Sequence, residues 1–576
     1  MFRAGWSKAE IHLTPHNYAM HGFGVWRHRA TGQQSPLNAR AFWIGSGSGK
    51  ALIFCCLDLG YITLAMRDGV CARLAAVTAL DFDPERLVLT CTHTHSGPGG
   101  CAHDVLYNIV TPGYVPEHVE AIVAAAVQAI TGAHAAAAET RLVLRSPRFK
   151  DAVTVAWNRS LAAYNRNPDV THLPATETHL ALDREMQLLC FEREGCTQAL
   201  LSLFGVHATC CGNTLHKYAS DNKGAAAMQA ERALAAQGVT APVAIFAQAT
   251  AGDVSPWYHG PGEAQRRAHV KGDAHYAYAA SNGGLQAELA LGHVQDDGRE
   301  IDGAIDAVFS YVDFTHIHAE PRFANGEPTA WTSVACHGAA FFMGTPVDGR
   351  GAPPWIGSIF RGLAGRVRRR RLLHGSLAMR AHYEALYAAQ GVKDVVLEDG
   401  PGRNGKRALG WPLARIVVPG FLDPTIGEMK RQARSGAINE SALVPSVLPL
   451  QIVTLGELVL VCCPGEFTTT AGARIKAAVR DALAAPQRSV LLCTYCNDYM
   501  GYVTTREEYQ QQAYEGGHTV FGQWELAAFQ TRLSALAAQL DRPPANRDYD
   551  RSLRPVPTPP EELALRTHLE APKARN

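Results

Sequence analysis

Short apolar runs alternate with longer alanine-rich stretches through the first half of the chain. The runs 51–57 and 86–91 have the length of buried strands, whereas 62–80 and 116–130 have the length and composition of helices. The alternation resumes with strand-like runs at 187–191, 199–206 and 243–248 and a helical stretch at 223–237. This pattern predicts an α/β protein, with mixed sheets flanked by helices.

The pattern loosens between about 282 and 446, where glycine and proline are frequent. One helical stretch near 377–390 interrupts this region, which we interpret as an elaboration on the core. Order returns with a pair of apolar strands at 449–463, joined at Gly456, and with a helix that ends near 484. We predict one large domain over 1–540 and a proline-rich tail over 541–576, in which 542–560 forms no regular element.

The chain is almost neutral, with 54 Lys and Arg against 53 Asp and Glu in 576 residues. That balance argues against a nucleic-acid-binding or membrane-surface protein held by bulk charge. The exception is a basic run that begins at Arg366 and ends at Arg371. Such a run is typical of a solvated helix face, and the alternative is a weak contact with an anionic lipid surface or an acidic substrate.

The first residues contain no apolar core followed by a small-residue cleavage site, and no segment has the roughly 20 apolar residues that span a bilayer. We therefore expect a cytoplasmic protein without a transmembrane segment. The 14 cysteines include three adjacent pairs and do not form a disulfide framework. We expect them in the core, including Cys493 and Cys496 of the single C-x-x-C motif, which by itself is a weak zinc or redox signal.

The stretch CTHTHSGPGG at 91–100 carries two imidazoles from the end of a predicted strand into a glycine-rich loop. Because alternate residues of a strand point the same way, His93 and His95 are expected to share a face. Either histidine can bind a metal while the other contacts substrate. Glycines in the loop allow the backbone to pass close to a ligand.

Four further segments place a reactive side chain at the end of an apolar run. These are VHAT with His207, GDVSP with Ser255, PGEFT with Glu466 and YVTT with Tyr502. Each has an ordinary explanation when taken alone, since a histidine there is usually structural, a glutamate usually caps a helix and a tyrosine usually lies in the core.

Taken together and in order, these motifs resemble the neutral ceramidase family from near residue 5 to near residue 530. Further motifs that carry the resemblance are Asn158-Arg-Ser, SDNKG at 220–224, Gly344-Thr with Asp348-Gly349, and Tyr514-Glu-Gly. The resemblance implies a zinc amidase that cleaves N-acylsphingosine to sphingosine and a fatty acid by attack of zinc-bound hydroxide on the amide carbonyl. It also implies the neutral-ceramidase catalytic fold.

The resemblance further implies one zinc ion per chain, with ligands His93, His207, Glu466 and Tyr502. His95, Arg159, Ser255 and Tyr514 match positions that line the family's active site. Two imidazoles and a carboxylate suit a hydrolytic zinc site that keeps a position open for water. His95, with Tyr514 or Tyr502, can stabilise the oxyanion or pass a proton to the leaving amine.

Ser255 has two interpretations, a covalent nucleophile or an anchor that hydrogen-bonds a substrate hydroxyl. No G-x-S-x-G motif surrounds it, which favours the anchor. Arg159 and Trp257 are further candidates for substrate binding. Trp257 stands where the family pattern leads us to expect a small polar residue, and Cys210 and Cys211 also depart from that pattern.

The chain ends soon after the last matching motif, so we expect neither the immunoglobulin-like C-terminal domain of secreted family members nor a calcium or magnesium site at its junction. The departures near Ser255 leave the substrate open. Alternatives to ceramide are the hydrolysis or synthesis of a non-sphingolipid amide, or a catalytically silent lipid-binding protein.

Overall fold

The computed structural model describes residues 2–47, 51–109, 113–260, 267–345, 347–349, 351, 353–416, 424–485 and 487–568. It contains a nine-stranded sheet. Eight strands follow one another across the sheet in the order Val243–Ala247, Cys196–Leu203, Gln187–Arg193, Ala138–Arg145, Phe2–Glu10, Asn38–Gly45, Leu52–Leu57 and Leu87–Cys91. The ninth strand, Arg299–Ile301, pairs with Ala138–Arg145. The two outermost pairs are parallel and the pairs between them are antiparallel, so the sheet is mixed.

A second, four-stranded sheet packs face to face with the first. Its strands follow in the order Ile305–Asp313, Val447–Leu455, Leu458–Cys462 and Ser489–Cys493, and its last pair is parallel. Phe42, Phe54 and Phe191 of the first sheet share one apolar core with Val453 and Leu460 of the second. The two sheets are therefore the inner layers of a sandwich.

Helices cover the outer face of each sheet. The helices of the described chain are Leu64–Ala75, Pro116–Ala135, Leu161–Tyr164, Asp221–Ala236, Ala274–Gly292, Ala339–Met343, Pro354–His374, Leu377–Gln390, Gly402–Gly405, Pro424–Ser435, Thr469–Ala482, Arg506–Tyr509, Tyr514–Gly517, Glu525–Ala537 and Pro560–Arg566. Leu64–Ala75 and Pro116–Ala135 pack on the first sheet, and Thr469–Ala482 and Glu525–Ala537 pack on the second. Because both faces of these strands are buried, the strands are continuous apolar runs such as LIFCCL at 52–57 rather than alternating ones.

The predicted α/β class and its main elements are confirmed. The boundaries agree closely, for example at Leu377–Gln390 and at the strand pair on either side of Gly456. The interpretation of 282–446 as a mere elaboration is wrong at its start, because Ile305–Asp313 pairs along its whole length with Val447–Leu455 in the second sheet. The remainder contains a small sheet of the strands Cys336–Gly338, Val395–Asp399, Lys406–Ala408 and Trp411–Pro412.

The predicted tail lies against the body of the molecule. Over 542–560 the only helical turn is Pro544–Asn546, apart from Pro560 itself, which begins the helix Pro560–Arg566. Arg566 is buried and donates hydrogen bonds to the carbonyls of His103 and Ala437. Residues 569–576 of the tail lie outside the described residues.

All 14 cysteines are free thiols, and most are buried, including Cys493 and Cys496. No helix in the described part of the chain is long and apolar enough to cross a membrane. The parallel strands Leu87–Cys91, Cys196–Leu203 and Leu458–Cys462 are each followed by a loop that carries a candidate histidine or glutamate.

Candidate active site

Three short bridges between loops gather the candidate side chains at one end of the sandwich. Thr94 pairs with Ala208, which joins the loop of His93 and His95 to the loop of His207. The strand Glu466–Phe467 pairs in parallel with Tyr502–Val503, so that Glu466 and Tyr502 are direct neighbours. The pair Trp157–Asn158 and Val254–Ser255 brings the Arg159 loop beside Ser255. These bridges bring together seven of the eight residues that the family resemblance assigned to the site, and the eighth, Tyr514, packs against Tyr502.

The centre of the site is a buried carboxylate between two imidazoles. His207 Nε2 lies 3.0 Å from Glu466 Oε2, and His93 Nε2 lies 3.4 Å from Glu466 Oε1. All three side chains are almost fully shielded from solvent.

Backbone carbonyls fix the tautomer of both imidazoles. His93 Nδ1 lies 2.6 Å from the carbonyl oxygen of Gly60, and His207 Nδ1 lies 2.6 Å from that of Ala251. Because a carbonyl oxygen can only accept, each Nδ1 carries the proton, and each Nε2 presents a lone pair to Glu466. This pattern of held Nδ1 and open Nε2 beside a carboxylate is typical of metal ligands.

His95 adds a third imidazole to the cluster. Its Nε2 lies 3.1 Å from His93 Nε2, and the ring nitrogens of His93, His95 and His207 are close enough together to hold a metal ion. The family resemblance assigned His95 to substrate contact. The structure places its imidazole where it can serve either as a metal ligand or as a substrate contact. Its Nδ1 is buried and has no hydrogen-bond partner among the described residues.

Burial keeps the imidazoles of His93 and His95 neutral. Desolvation lowers the pKa of His93 to about 4, against the opposing charge of Glu466, and burial lowers the pKa of His95 well below its ordinary value. Burial raises the pKa of Glu466, but the neighbouring His93 and His207 and the hydrogen bond from Tyr499 outweigh it, so that the pKa of this carboxyl lies well below its ordinary value. A neutral imidazole and an ionised carboxylate are the forms in which these side chains bind a metal.

Two tyrosines that sequence reasoning missed hold the carboxylate. Tyr495 donates a hydrogen bond to Glu466 Oε2 at 3.2 Å, and Tyr499 donates a short one to Oε1. Both lie on the loop after Ser489–Cys493. The available signal was a pair of tyrosines four residues apart just beyond a buried strand, which is weak without the fold.

Arg159 organises the side of the site next to Tyr502. Its guanidinium donates to Glu515 at 2.9 Å, to Asp348 at 2.9 Å, to the carbonyl of Gly252 at 2.8 Å and to Tyr502 Oη at 3.1 Å. Tyr502 Oη accepts from Arg159 and lies 3.1 Å from His207 Nε2. Arg159 therefore orients the phenol towards the cluster.

Asp348 accepts hydrogen bonds from both Arg159 and Ser255 and so links them. It accepts hydrogen bonds from Ser255 Oγ at 3.0 Å, from Thr209 at 2.8 Å and from Arg267 at 3.1 Å. Burial opposes its ionisation, yet the Arg159 and Arg267 charges lower the pKa of Asp348 to about 2. The sequence motif contained Asp348, but only the structure reveals its partners.

Trp257 is fully buried rather than open to a pocket. Its ring stacks on Tyr278 with centroids 4.1 Å apart, and its Nε1 donates to the carbonyl of Thr209 at 2.9 Å. The indole thus supports the Thr209 loop, and its role in substrate binding stays a prediction. Cys210 and Cys211 are also buried, and their amides donate to Asp221.

Tyr514 lies at the rim of the site. Its ring packs edge-on against Tyr502, with centroids 5.3 Å apart, and stacks on Phe341. The side chain is half-buried, and its hydroxyl forms no hydrogen bond with any residue that the structure describes. Tyr514 and His95 therefore have unused hydrogen-bonding capacity beside the cluster.

Fold and site together define an α/β sandwich protein with a buried cluster of three histidines and a carboxylate that can hold a metal ion. The sequence model of the neutral/alkaline non-lysosomal ceramidase N-terminal domain matches residues 2–402 and 432–531. The chain belongs to this ceramidase family.

Relatives named as neutral ceramidases match nearly the whole chain. It is 30% identical to the neutral ceramidase of Pseudomonas aeruginosa over 550 residues, which is 94% of this chain and 72% of that protein. It is 29% identical to the neutral ceramidase of Mycobacterium tuberculosis, over 93% of this chain and 77% of the relative. A solved structure described as ceramidase complexed with C2 has a TM-score of 0.74 at 31% identity, covering 94% of this chain and 75% of the other.

Proposed function

We propose that this protein is a zinc-dependent amidase that hydrolyses the N-acyl bond of ceramide-like lipids to a long-chain amine and a fatty acid. The observation that carries the proposal is the convergence of His93 and His207 Nε2 on the Glu466 carboxylate in a chain of the ceramidase family. When bound there, zinc supplies a water whose pKa is lowered to about 7 and polarises the amide carbonyl. His93, His207 and Glu466 would hold the ion, with Tyr502 or His95 completing the donor set.

The groups with unused capacity are assigned to the substrate. His95 Nδ1 and the Tyr514 hydroxyl have no hydrogen-bond partner among the described residues, so they can bind the amide or hold the proton that the leaving amine takes up. Tyr502, oriented by Arg159, can donate to the carbonyl oxygen as negative charge develops there.

The surroundings of Ser255 favour an anchor over a nucleophile. Its hydroxyl donates to Asp348, the only acidic side chain in hydrogen-bond contact with it among the described residues. A carboxylate whose pKa is about 2 is a weak base and cannot activate a serine effectively. The anchor holds a polar group of the substrate beside the cluster.

The test is release of fatty acid from N-acylsphingosine in detergent micelles by zinc-loaded protein, with His93→Ala alongside. Release that depends on zinc and is lost in the variant supports the proposal. A protein that binds zinc tightly yet releases nothing would remove ceramide as the substrate and direct the search to other N-acyl amines. A protein that binds the lipid but neither zinc nor product would be a lipid-binding protein instead.

A further inference from the structure

The helix Pro354–His374 presents large apolar side chains to solvent. Trp355 is 64% exposed, Ile359 is 49% exposed and Leu363 is 36% exposed. They are spaced four residues apart, so they form one stripe along the outer face of the helix. A stripe of this kind in water normally marks a surface that another phase or partner covers.

The same outer face becomes basic towards the end of the helix. By helical geometry Arg366 and Arg370 continue the stripe, Arg369 lies beside it, and Leu373, 62% exposed, ends it. None of these three arginines forms an ion pair with a residue that the structure describes. We call the set of Trp355, Ile359, Leu363, Arg366, Arg369, Arg370 and Leu373 the 355–373 face.

Other arginines of the helix have structural partners and are not part of this face. Arg371 is buried and paired with Glu398, and Arg368 donates to the carbonyl of Gly391. The stretch 354–383 contains seven arginines and neither Asp nor Glu, in a chain whose overall charge is close to zero. The charge on this surface is therefore concentrated, and it is complementary to an anionic partner.

The 355–373 face is joined to the candidate active site through one short helix, Ala339–Met343. Phe342 contacts Phe360 with ring centroids 5.9 Å apart, and Met343 packs on Gly357. On the other side of the same short helix, Phe341 stacks on Tyr514 with centroids 6.0 Å apart. The exposed helix is thus one element away from the rim of the site.

We propose that the 355–373 face docks on an anionic lipid bilayer, with Trp355, Ile359 and Leu363 in the interface and Arg366, Arg369 and Arg370 against the headgroups. A helix that combines an apolar stripe with unpaired cations binds such a surface through apolar burial and through electrostatic attraction at once. Either contribution alone gives weak binding. The further statement that docking brings the lipid substrate to the rim at Tyr514 rests on the proposed function.

The experiment is flotation of the full chain with vesicles of phosphatidylcholine and phosphatidylserine, and with vesicles of phosphatidylcholine alone. Binding is expected only to the anionic vesicles and weakens as salt rises. Charge reversal of Arg366, Arg369 and Arg370 to Glu is expected to weaken binding by on the order of a hundredfold. Trp355→Gln, Ile359→Gln and Leu363→Gln together are expected to weaken it by about tenfold. The matched control reverses three exposed arginines on other helices, Arg232, Arg480 and Arg532.

Several results would overturn the proposal. The first is wild type that does not float, and the second is a control that loses as much binding as the face variant. The third is binding that needs the arginines but not Trp355, Ile359 and Leu363, which would indicate a soluble polyanion. The fourth is a concentration-dependent dimer that Trp355→Gln abolishes, which would indicate a second copy of the chain as the occupant.

Hydrolysis in detergent micelles is measured on the same variants, because it needs no bilayer. Loss of flotation with intact micellar hydrolysis is the expected result for the face variants. Flotation without any hydrolysis in the wild type would leave the docking surface standing and remove the proposed function, so that the two failures are distinguishable.

Discussion

Arginine occurs in two opposite settings in this molecule. Arg159, at the candidate active site, is buried and donates to Glu515, Asp348, Gly252 and Tyr502. Arg366 and Arg370, on the helix Pro354–His374, are exposed and form no ion pair with the described residues. A buried charge is tolerated only when its partners satisfy it, so Arg159 is fixed in one orientation. An exposed charge is hydrated and remains available to a partner.

The same contrast applies to the cluster as a whole. Around Glu466 the polar groups are buried and their contacts are short and directional, which suits a site that must hold one ion and one transition state. On the 355–373 face they are solvated and face outwards, which suits a broad surface. Substitutions in the two regions should therefore differ in kind as well as in size.

The largest effect is expected at the cluster. His207→Ala removes one of the two imidazoles that face Glu466 and leaves the carboxylate without that partner. We expect stoichiometric zinc to be lost and hydrolysis to fall by on the order of a thousandfold or more. Metal analysis and micellar hydrolysis check this, with the exposed His172→Ala as the control. A variant that keeps both zinc and activity would exclude His207 as a ligand.

Lys223 is a buried side chain with no charged hydrogen-bond partner among the described residues, so it tests how much stability a poorly compensated charge costs. Its Nζ donates to the carbonyl of Phe204 at 2.6 Å, and burial lowers its pKa from the ordinary 10.5 to about 7. Between these values the unfolded chain binds a proton that the folded protein does not, so stability rises with pH. Relative to Lys223→Met, the wild type should gain about 3 kcal/mol between pH 7 and pH 9.5.

Urea unfolding of both proteins at the two pH values measures this difference. The comparison between wild type and variant cancels the other groups that titrate over the same range. An unchanged difference would mean that Lys223 keeps its ordinary pKa in the folded state.

Arg159→Lys compares the two settings directly. Lysine keeps the charge but not the planar fork, so it cannot serve Glu515, Asp348 and Tyr502 together. We expect a loss of hydrolysis of roughly a hundredfold and a free energy of unfolding lowered by about 2 kcal/mol. Arg366→Lys should leave the free energy of unfolding, and the activation free energy of hydrolysis, within about 0.5 kcal/mol of wild type. Equal behaviour of the two variants would contradict the contrast.

Ser255→Ala should have the smallest effect of the substitutions in the candidate active site. The substitution removes the hydroxyl that donates to Asp348 and that accepts from the Trp257 amide. For an anchor we expect hydrolysis to fall by about tenfold while zinc stays bound. Complete loss of turnover with zinc retained would indicate a nucleophile, and loss of zinc would contradict both interpretations.

Much of the fold could be predicted because the evidence for each element is local. The run 51–57 reads as a buried strand from its apolar residues alone, and the structure has a strand at Leu52–Leu57. Leu377–Gln390 was recognisable from its helical pattern in the same way. By contrast, the pairing of Ile305–Asp313 with Val447–Leu455 joins segments more than 130 residues apart, and nothing in either segment names its partner.

The candidate site divides along the same line. The ordered set of motifs, through its resemblance to the neutral ceramidase family, made His93, His207, Glu466 and Tyr502 candidates, although no single motif did so alone. Their partners were not recognisable, since Tyr495, Tyr499 and Glu515 look like ordinary loop residues until the loops are brought together. His93 and Tyr495 also have left-handed backbone conformations, with φ of 65° and 57°. No local sequence pattern predicts them.

The sequence by itself determined the α/β class and the order of most elements, because hydrophobic period is a property of neighbouring residues. Its family resemblance also supplied the candidate site residues. Only the tertiary structure decided which lone pairs face which carboxylate, that Asp348 joins Arg159 to Ser255, and that three arginines of one helix point into solvent while Arg371 points inward. Those facts depend on the relative positions of segments far apart in the chain. Burial and partner geometry, rather than residue type, set the charge state and availability of each group.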